Sequence, residues 1–333
     1  MNFVDEQDVA GLEVGQHGGQ IPGPLEHRPR RGFDIDVHLM GDDIGQGGLA
    51  KPRGAKDQRM VEALAQQDID IPFNVLFVES ETNRSEPPHD LLASLASARI
   101  VYGPAEESAL LKSFGASQTD APLIAVFEAD AAPNPCWLRL LYQRAQAHPE
   151  YSVFSGRTTY GDETSWKRVL SLLDRSFDDY GHACESRHIS SNAALYRAQV
   201  LKDFPYAPAP TPLVAARQRD SRIAEAGLRK HFDREAVTTH EIGGLDFAFL
   251  YRRNSAHASM TARYRRSWTA IPAELILEMR SEVGSALRVG KDYLRWYDWP
   301  LWLVMFGMIR IPEIIGMIDA LKKVERIPGS AYR

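Results

Sequence analysis

Cysteine is scarce in this sequence: its 333 residues hold two thiols, Cys136 and Cys184. Two so widely separated exclude a disulfide framework and a cysteine-rich metal site, and they read as ordinary small apolar residues of a reducing compartment. An excess of positive charge is also lacking. Lys+Arg number 39 against 44 Asp+Glu, which removes the bulk electrostatic footprint of a nucleic-acid-binding protein. No basic stretch followed by an apolar one opens the chain, so a secretory leader is not expected. The first 70 residues lack aromatics except Phe3 and Phe33, hold 11 of the 24 glycines, and carry 7 Lys+Arg against 13 Asp+Glu. They show no sustained apolar run, and no period of two or 3.6 beyond a short helix-like end from Val61 to Leu64. Such a segment buries too little apolar surface to offset the entropy of ordering it. Residues 1–70 are therefore expected to be disordered and dispensable for the folding of the rest.

The remainder is different. With 44% hydrophobic residues overall, the chain can bury a sizeable core as one large or two ordinary domains. Phe73 to Ser80 reads as a short buried strand ending in a polar turn, followed by an apolar helix from Leu91 to Ala98 and a second strand from Arg99 to Tyr102. A helix from Ala105 to Thr119, a strand from Leu123 to Glu128 and another from Tyr151 to Gly156 continue the alternation. Between the last two, Trp137, Leu138, Leu141, Tyr142 and Ala145 form one helical stripe that should pack on the sheet. Alternating short strands and helices imply a doubly wound, mostly parallel α/β sheet, with ligands gathered beyond the carboxyl ends of the strands.

One such end is chemically loaded. The buried-type strand from Leu123 runs straight into Glu128-Ala-Asp130 and then a Pro-punctuated helix start. Carboxylates two apart at a strand end can hold a divalent cation against a diphosphate, whose charge must be neutralised before the leaving group departs. Here the sequence resembles the family-2 glycosyltransferases of the GT-A type, whose equivalent Asp-x-Asp motif is followed, as in this chain, by a Pro and an aromatic-Leu helix start. The resemblance implies an Mg²⁺ or Mn²⁺ ion, with Glu128 and Asp130 at the metal and diphosphate. It places Glu79, where the family usually has Asp, at the nucleoside. Lys112-Ser-Phe-Gly115 resembles a basic-Asn-x-Gly segment whose cation approaches the nucleotide, with Ser113 in place of Asn. The segment His188-Ile-Ser-Ser-Asn192-Ala-Ala-Leu-Tyr-Arg197 resembles a polar turn leading into a helix, whose donors suit a phosphate or sugar hydroxyl. It implies Asn192 near donor or acceptor. The stretch from Arg229 through Ala236-Val-Thr-Thr-His240 resembles a strand-turn-strand ending in Ala-x-Val-x-His, which implies that His240 completes the metal or diphosphate site.

Two departures from the family accompany these matches. No equivalent of its first strand precedes Ile71, which leaves a lost strand, a reading frame begun away from its native start, or a genuine acidic tail. The acidic pair expected ahead of Arg222 falls on Ala215 and Ala216. Asp220 is then the candidate base that deprotonates the acceptor hydroxyl, with Glu225 about a turn and a half away and off its face.

Toward the C-terminus a basic run, Arg252, Arg253, Arg263, Arg265 and Arg266, suits phosphates or anionic lipid headgroups equally. Trp299 to Ile309 is uncharged, and Arg310, Pro312 and Glu313 interrupt it before apolar character resumes at Ile314. Two charges and a proline near the middle argue against a span, so the segment is expected to lie at the membrane interface, with Trp296, Trp299 and Trp302 beside Arg295 and Lys322. A helix docked on the domain or on a second copy fits the same pattern.

The expected protein has a GT-A-like domain over residues 71–265 and a C-terminal helical extension over 266–333. It moves a sugar from a nucleotide-diphosphate donor to a glycan or lipid-linked acceptor, with inversion, at the inner face of the cell membrane and without nucleic acid as a partner. An inactive glycan-binding or scaffold protein is the rival reading, supported by Ala215 and Ala216. A sugar-phosphate nucleotidyltransferase is the other, but it usually has a Gly-rich loop after its first strand, and residues 71–90 show none.

Overall fold

The run Leu123-Ile-Ala-Val-Phe is apolar at every position, which a strand needs only when both of its faces are covered. The computed structural model places it at the centre of such a sheet, and it describes residues 35–40, 54–83, 95, 97–128, 130–190, 193–209, 212–240 and 270–325. In chain order the elements are β1 (Ile35–Met40), α1 (Gly54–Ala65), β2 (Phe73–Ser80), β3 (Ala98–Gly103), α2 (Ser108–Ser117), β4 (Leu123–Glu128), β5 (Ala131–Pro133) and α3 (Trp137–Ala147). There follow β6 (Tyr151–Thr159), α4 (Ser165–Arg175), β7 (Cys184–Ser186), β8 (Ala193–Arg197), α5 (Ala198–Asp203), α6 (Pro212–Glu225), β9 (Arg229–His240), α7 (Ala270–Tyr293) and α8 (Trp299–Glu325).

The strands join in the order β3-β2-β1-β4-β8-β6-β9-β5, with β7 pairing on β9. From β3 to β4 all pairs are parallel. Beyond β4 the sheet is mixed, because β8 runs antiparallel to both β4 and β6, while β6 and β9 run parallel. The expected doubly wound α/β sheet is present, with its parallel character concentrated in the first half. Alternation along β4 divides the core into two layers. Leu123, Ala125 and Phe127 pack with Met60, Val61 and Leu64 of α1 and with Trp137, Leu138 and Leu141 of α3. Ile124 and Val126 pack with Leu111 of α2, Leu201 of α5 and Ile223 of α6. The helical stripe expected after Asp130 thus lies on the sheet, its Trp137 ring 4.5 Å from that of Phe127.

One expectation is overturned. A strand does precede Ile71: β1 lies between β2 and β4 and pairs in parallel register with both over its whole length, from Ile35 to Met40. The signal was the alternation of Ile35, Val37 and Leu39 with Asp36 and His38, a short half-buried strand pattern within a Gly-rich and acidic surrounding. The disorder expected for residues 1–70 fails in α1 as well, whose Met60, Val61 and Leu64 are core residues. The expected helix positions 91–94 and the basic run at 252–266 lie outside the described residues.

α7 and α8 dock on α4. Trp302, Met305 and Ile309 share one cluster with Val169, Leu172 and Leu173 of α4 and Ala286, Val289 and Tyr293 of α7. The Arg168 guanidinium locks this junction, donating from Nε and Nη2 to the two carboxylate oxygens of buried Asp298 at 2.7 and 2.9 Å. Pro312 does not end α8, which continues through it to Glu325.

Candidate active site

The strand order turns at β1 and β4: β2 and β3 lie to one side of β1, and β4 lies to the other. Crevices for ligands form at such switch points, outside the carboxyl ends of the strands. Glu128 occupies that end of β4, opposite Met40 of β1. Two residues on, Asp130 precedes β5, which pairs antiparallel with the end of β9 so that Ala131 faces His240. This register carries the imidazole to the carboxylates. His240 Nε2 lies 2.9 Å from Asp130 Oδ1 and 3.4 Å from Glu128 Oε2. One ligand atom from each of the three falls within 4.8 Å of the others.

Cations surround the cluster. Lys112 of α2, itself buried, donates from Nζ to Glu128 Oε1 at 2.8 Å. Burial alone would lower the Lys112 pKa, but the Glu128 charge outweighs it and holds the ammonium above the ordinary lysine value. Burial alone would likewise raise Glu128, yet Lys112 and His240 hold its carboxyl well below the usual carboxylate range. His240 is raised: burial opposes its charge, and the hydrogen bonds with Asp130 and Glu128 overcome that. Behind the ring, Arg175 Nη2 stands 3.1 Å from His240 Nδ1, and Arg175 Nε donates to the Tyr160 hydroxyl at 3.1 Å. Tyr160 in turn donates to Asp174.

The donor set can be tested against a metal ion. Cis ligands of an octahedral hard cation stand about 3 Å apart, which the His240 contacts approach, and paired carboxylate oxygens are the ligands such ions prefer. His240 fits under one condition. A guanidinium can only donate, so with Arg175 against Nδ1 the neutral ring carries its proton on Nε2 and gives it to Asp130. Ligation through Nε2 requires Arg175 to leave Nδ1, where a ligating imidazole keeps its own N–H. The two carboxylates need no such change.

The structure gathers Lys112, Glu128, Asp130 and His240, and it places the other candidates elsewhere. Glu79 stands one residue before the end of β2 and one past Val78, which shares the Met40 level with Glu128, so Glu79 lies two strands from Glu128, about 10 Å away by strand spacing. Asn192 is outside the described residues; the strand after it begins at Ala193, paired with Phe127. Asp220 lies apart from this cluster. It pairs with buried Lys230, at the start of β9, and approaches His188 at 3.7 Å. Lys230 is in register with Val153 of β6, and Thr239, next to His240, with Thr159, a span of about 20 Å along the sheet. Ala215, where the resemblance expects an acid, is buried against Ala109 and Tyr206, a position suited to packing. Arg175 and Tyr160 were not legible in the sequence, since each touches His240 only through the return of β9.

With this geometry in view, comparison with solved structures finds a mannosyltransferase from Pyrobaculum calidifontis in complex with GDP-Man and Mn²⁺. The two chains superpose with a TM-score of 0.53 at 12% identity, over 88% of this chain and 87% of that one. The chain has a glycosyltransferase fold. No family model and no curated protein sequence matches it.

Proposed function

We propose that this protein is a metal-dependent glycosyltransferase that takes a sugar from a nucleotide-diphosphate donor and passes it, with inversion, to a glycan or lipid-linked acceptor. The observation that carries the reading is the meeting of Glu128, Asp130 and His240 at the switch point of a glycosyltransferase fold. In this reading Glu128 and Asp130 would hold an Mg²⁺ or Mn²⁺ ion, with His240 as a third ligand provided that Arg175 no longer occupied Nδ1. The ion, when bound, neutralises the diphosphate as it leaves. Lys112 fixes one oxygen of Glu128 and so orients the carboxylate, leaving Oε2 toward the cluster. Glu79, about 10 Å across the strand ends, stands within the span of a nucleoside diphosphate and receives the nucleoside. Asn192, just ahead of β8 in the sequence, is assigned to donor or acceptor. Asp220, paired with Lys230 away from the cluster, is not assigned the role of base in this reading.

A second reading follows from the position of Asp220 and the packing of Ala215: a protein that binds nucleotide-sugars without transferring them. Calorimetric titration with GDP, UDP and CDP, each with and without Mn²⁺, separates the readings when followed by a donor-hydrolysis assay. Metal-dependent binding of one nucleotide with turnover of its sugar supports the enzyme. Binding without turnover favours the second reading, and no metal-dependent binding at all defeats both.

A further inference from the structure

We propose that the outer face of α7 and α8 is a docking surface for an anionic lipid bilayer, on which the protein lies without crossing it. This inference is independent of the catalytic reading. It starts from α8, whose inner stripe of Trp302, Met305 and Ile309 is buried on α4 and α7. The opposite stripe, Leu303, Val304, Met308, Ile311 and Ile314, is between 38% and 61% exposed and contains no polar side chain. The water-facing side of a docked helix ordinarily carries charges. An apolar stripe of this length on a folded surface marks an interaction site.

The charges of the segment are hidden instead. Arg310 bonds Glu282 of α7 at 2.7 Å and Glu313 at 2.8 Å, so both ionic groups that interrupt the run in sequence are paired on the inner side. Interfacial insertion of the outer stripe therefore buries neither. In the turn just ahead of α8, Trp296 is 84% exposed and Tyr297 is exposed beside it, as aromatics at the headgroup level are. α7 adds exposed Ile276, Val283 and Leu287 at helical spacing.

Charge selects the occupant. Among the described residues of α7, α8 and the turn between them, Arg280, Arg288, Lys291 and Arg295 are exposed, whereas Asp292 pairs with Arg234 at 2.7 Å, and Glu282 and Glu313 pair with Arg310. Anionic headgroups complement such a surface. A second copy across a two-fold axis would present the same cations to one another. Packing weighs against a span: residues Trp296–Ile318 are long and apolar enough to cross a bilayer, but the stripe of Trp302, Met305 and Ile309 is held against α4 and α7. While α8 remains on α4, lipid reaches only its outer face.

The test is co-sedimentation of the full chain with phosphatidylcholine vesicles, with and without phosphatidylglycerol. The variant combining Leu303→Gln, Val304→Gln, Met308→Gln and Ile311→Gln changes only exposed positions and should keep the wild-type melting temperature. It should lose about tenfold or more in affinity for the anionic vesicles. Trp296→Ala alone should weaken binding by a few-fold and serves if the combined variant does not fold. Alkaline carbonate should release the wild type. Equal binding of wild type and variants, or no binding by the wild type, overturns the proposal. Equal binding to both vesicle types overturns the choice of an anionic surface, and resistance to carbonate overturns interfacial placement. A lipid-free dimer in light scattering that the combined variant abolishes, with no vesicle binding, gives the face to a second copy.

Discussion

His240 Nε2 stands 2.9 Å from Asp130 Oδ1 because the residue after Asp130, Ala131, is the direct partner of His240 in the β5–β9 ladder. Backbone pairing, more than any local motif, thus builds the cluster, and Asp130, which lies between β4 and β5, can be replaced without opening the core.

Asp130→Ala should leave the fold intact and lower Mn²⁺-dependent nucleotide affinity by about tenfold or more, since a carboxylate at a strand end serves a ligand. His240→Ala should weaken it less, by several-fold, because the carboxylates carry most of the ion's charge. Calorimetry with a nucleoside diphosphate measures both. Unchanged affinity in Asp130→Ala would remove that residue from the site.

Gly156→Ala should be severely destabilising. A Cβ at this position of β6 would lie 1.8 Å from the Ala236 carbonyl oxygen of β9, beside the register shift between the Gly156–Asp233 and Arg157–Val237 pairs. The neighbour is backbone and cannot rotate away. The loss should exceed about 3 kcal/mol, the range in which core overpacking becomes disruptive, and urea melting of the purified variant would show it. A variant that melts with the wild type would mean that β6 and β9 can separate there at little cost.

Truncation to begin at Gln67 should abolish soluble folding. It removes β1 from between β2 and β4, exposing an edge on each, and strips Met60, Val61 and Leu64 from the core. A chain beginning at Phe33 keeps these elements and should fold. Circular dichroism of the two truncations decides between this outcome and a dispensable N-terminal region.

Asp298→Asn should cost about 3–5 kcal/mol, the range found when one partner of a buried ion pair is removed. Arg168 holds the Asp298 carboxyl below its ordinary range, against the opposing effect of burial. A depressed carboxylate stabilises the fold fully above its unfolded pKa, and that contribution is lost as the pH falls through the folded value. The wild type should therefore lose melting temperature progressively below about pH 4, the ordinary aspartate range, and Asp298→Asn should show a shallower acid limb. Parallel acid limbs would assign the acid sensitivity to other carboxylates.

The sequence by itself determined the alternation of strands and helices, the twice-covered strand from Leu123 to Phe127 and the placement of Glu128 and Asp130 at its end. These are local matters, set by the runs and spacing of apolar side chains and by where they stop. Even the missed strand from Ile35 to Met40 carried its period of two, too short to stand out among glycines and acids. Tertiary structure alone decided that β9 would return His240 to Asp130, that Arg175 would sit on its far nitrogen, and that Asp220 would be drawn to Lys230 at the opposite end of that strand. It also turned Arg310 and Glu313 inward and Trp302 into the core, leaving an uncharged stripe outside. The physical reason is common to all of these: the partner of each side chain is fixed by sheet register and helix docking between segments far apart in the chain, and no spacing within one segment records it.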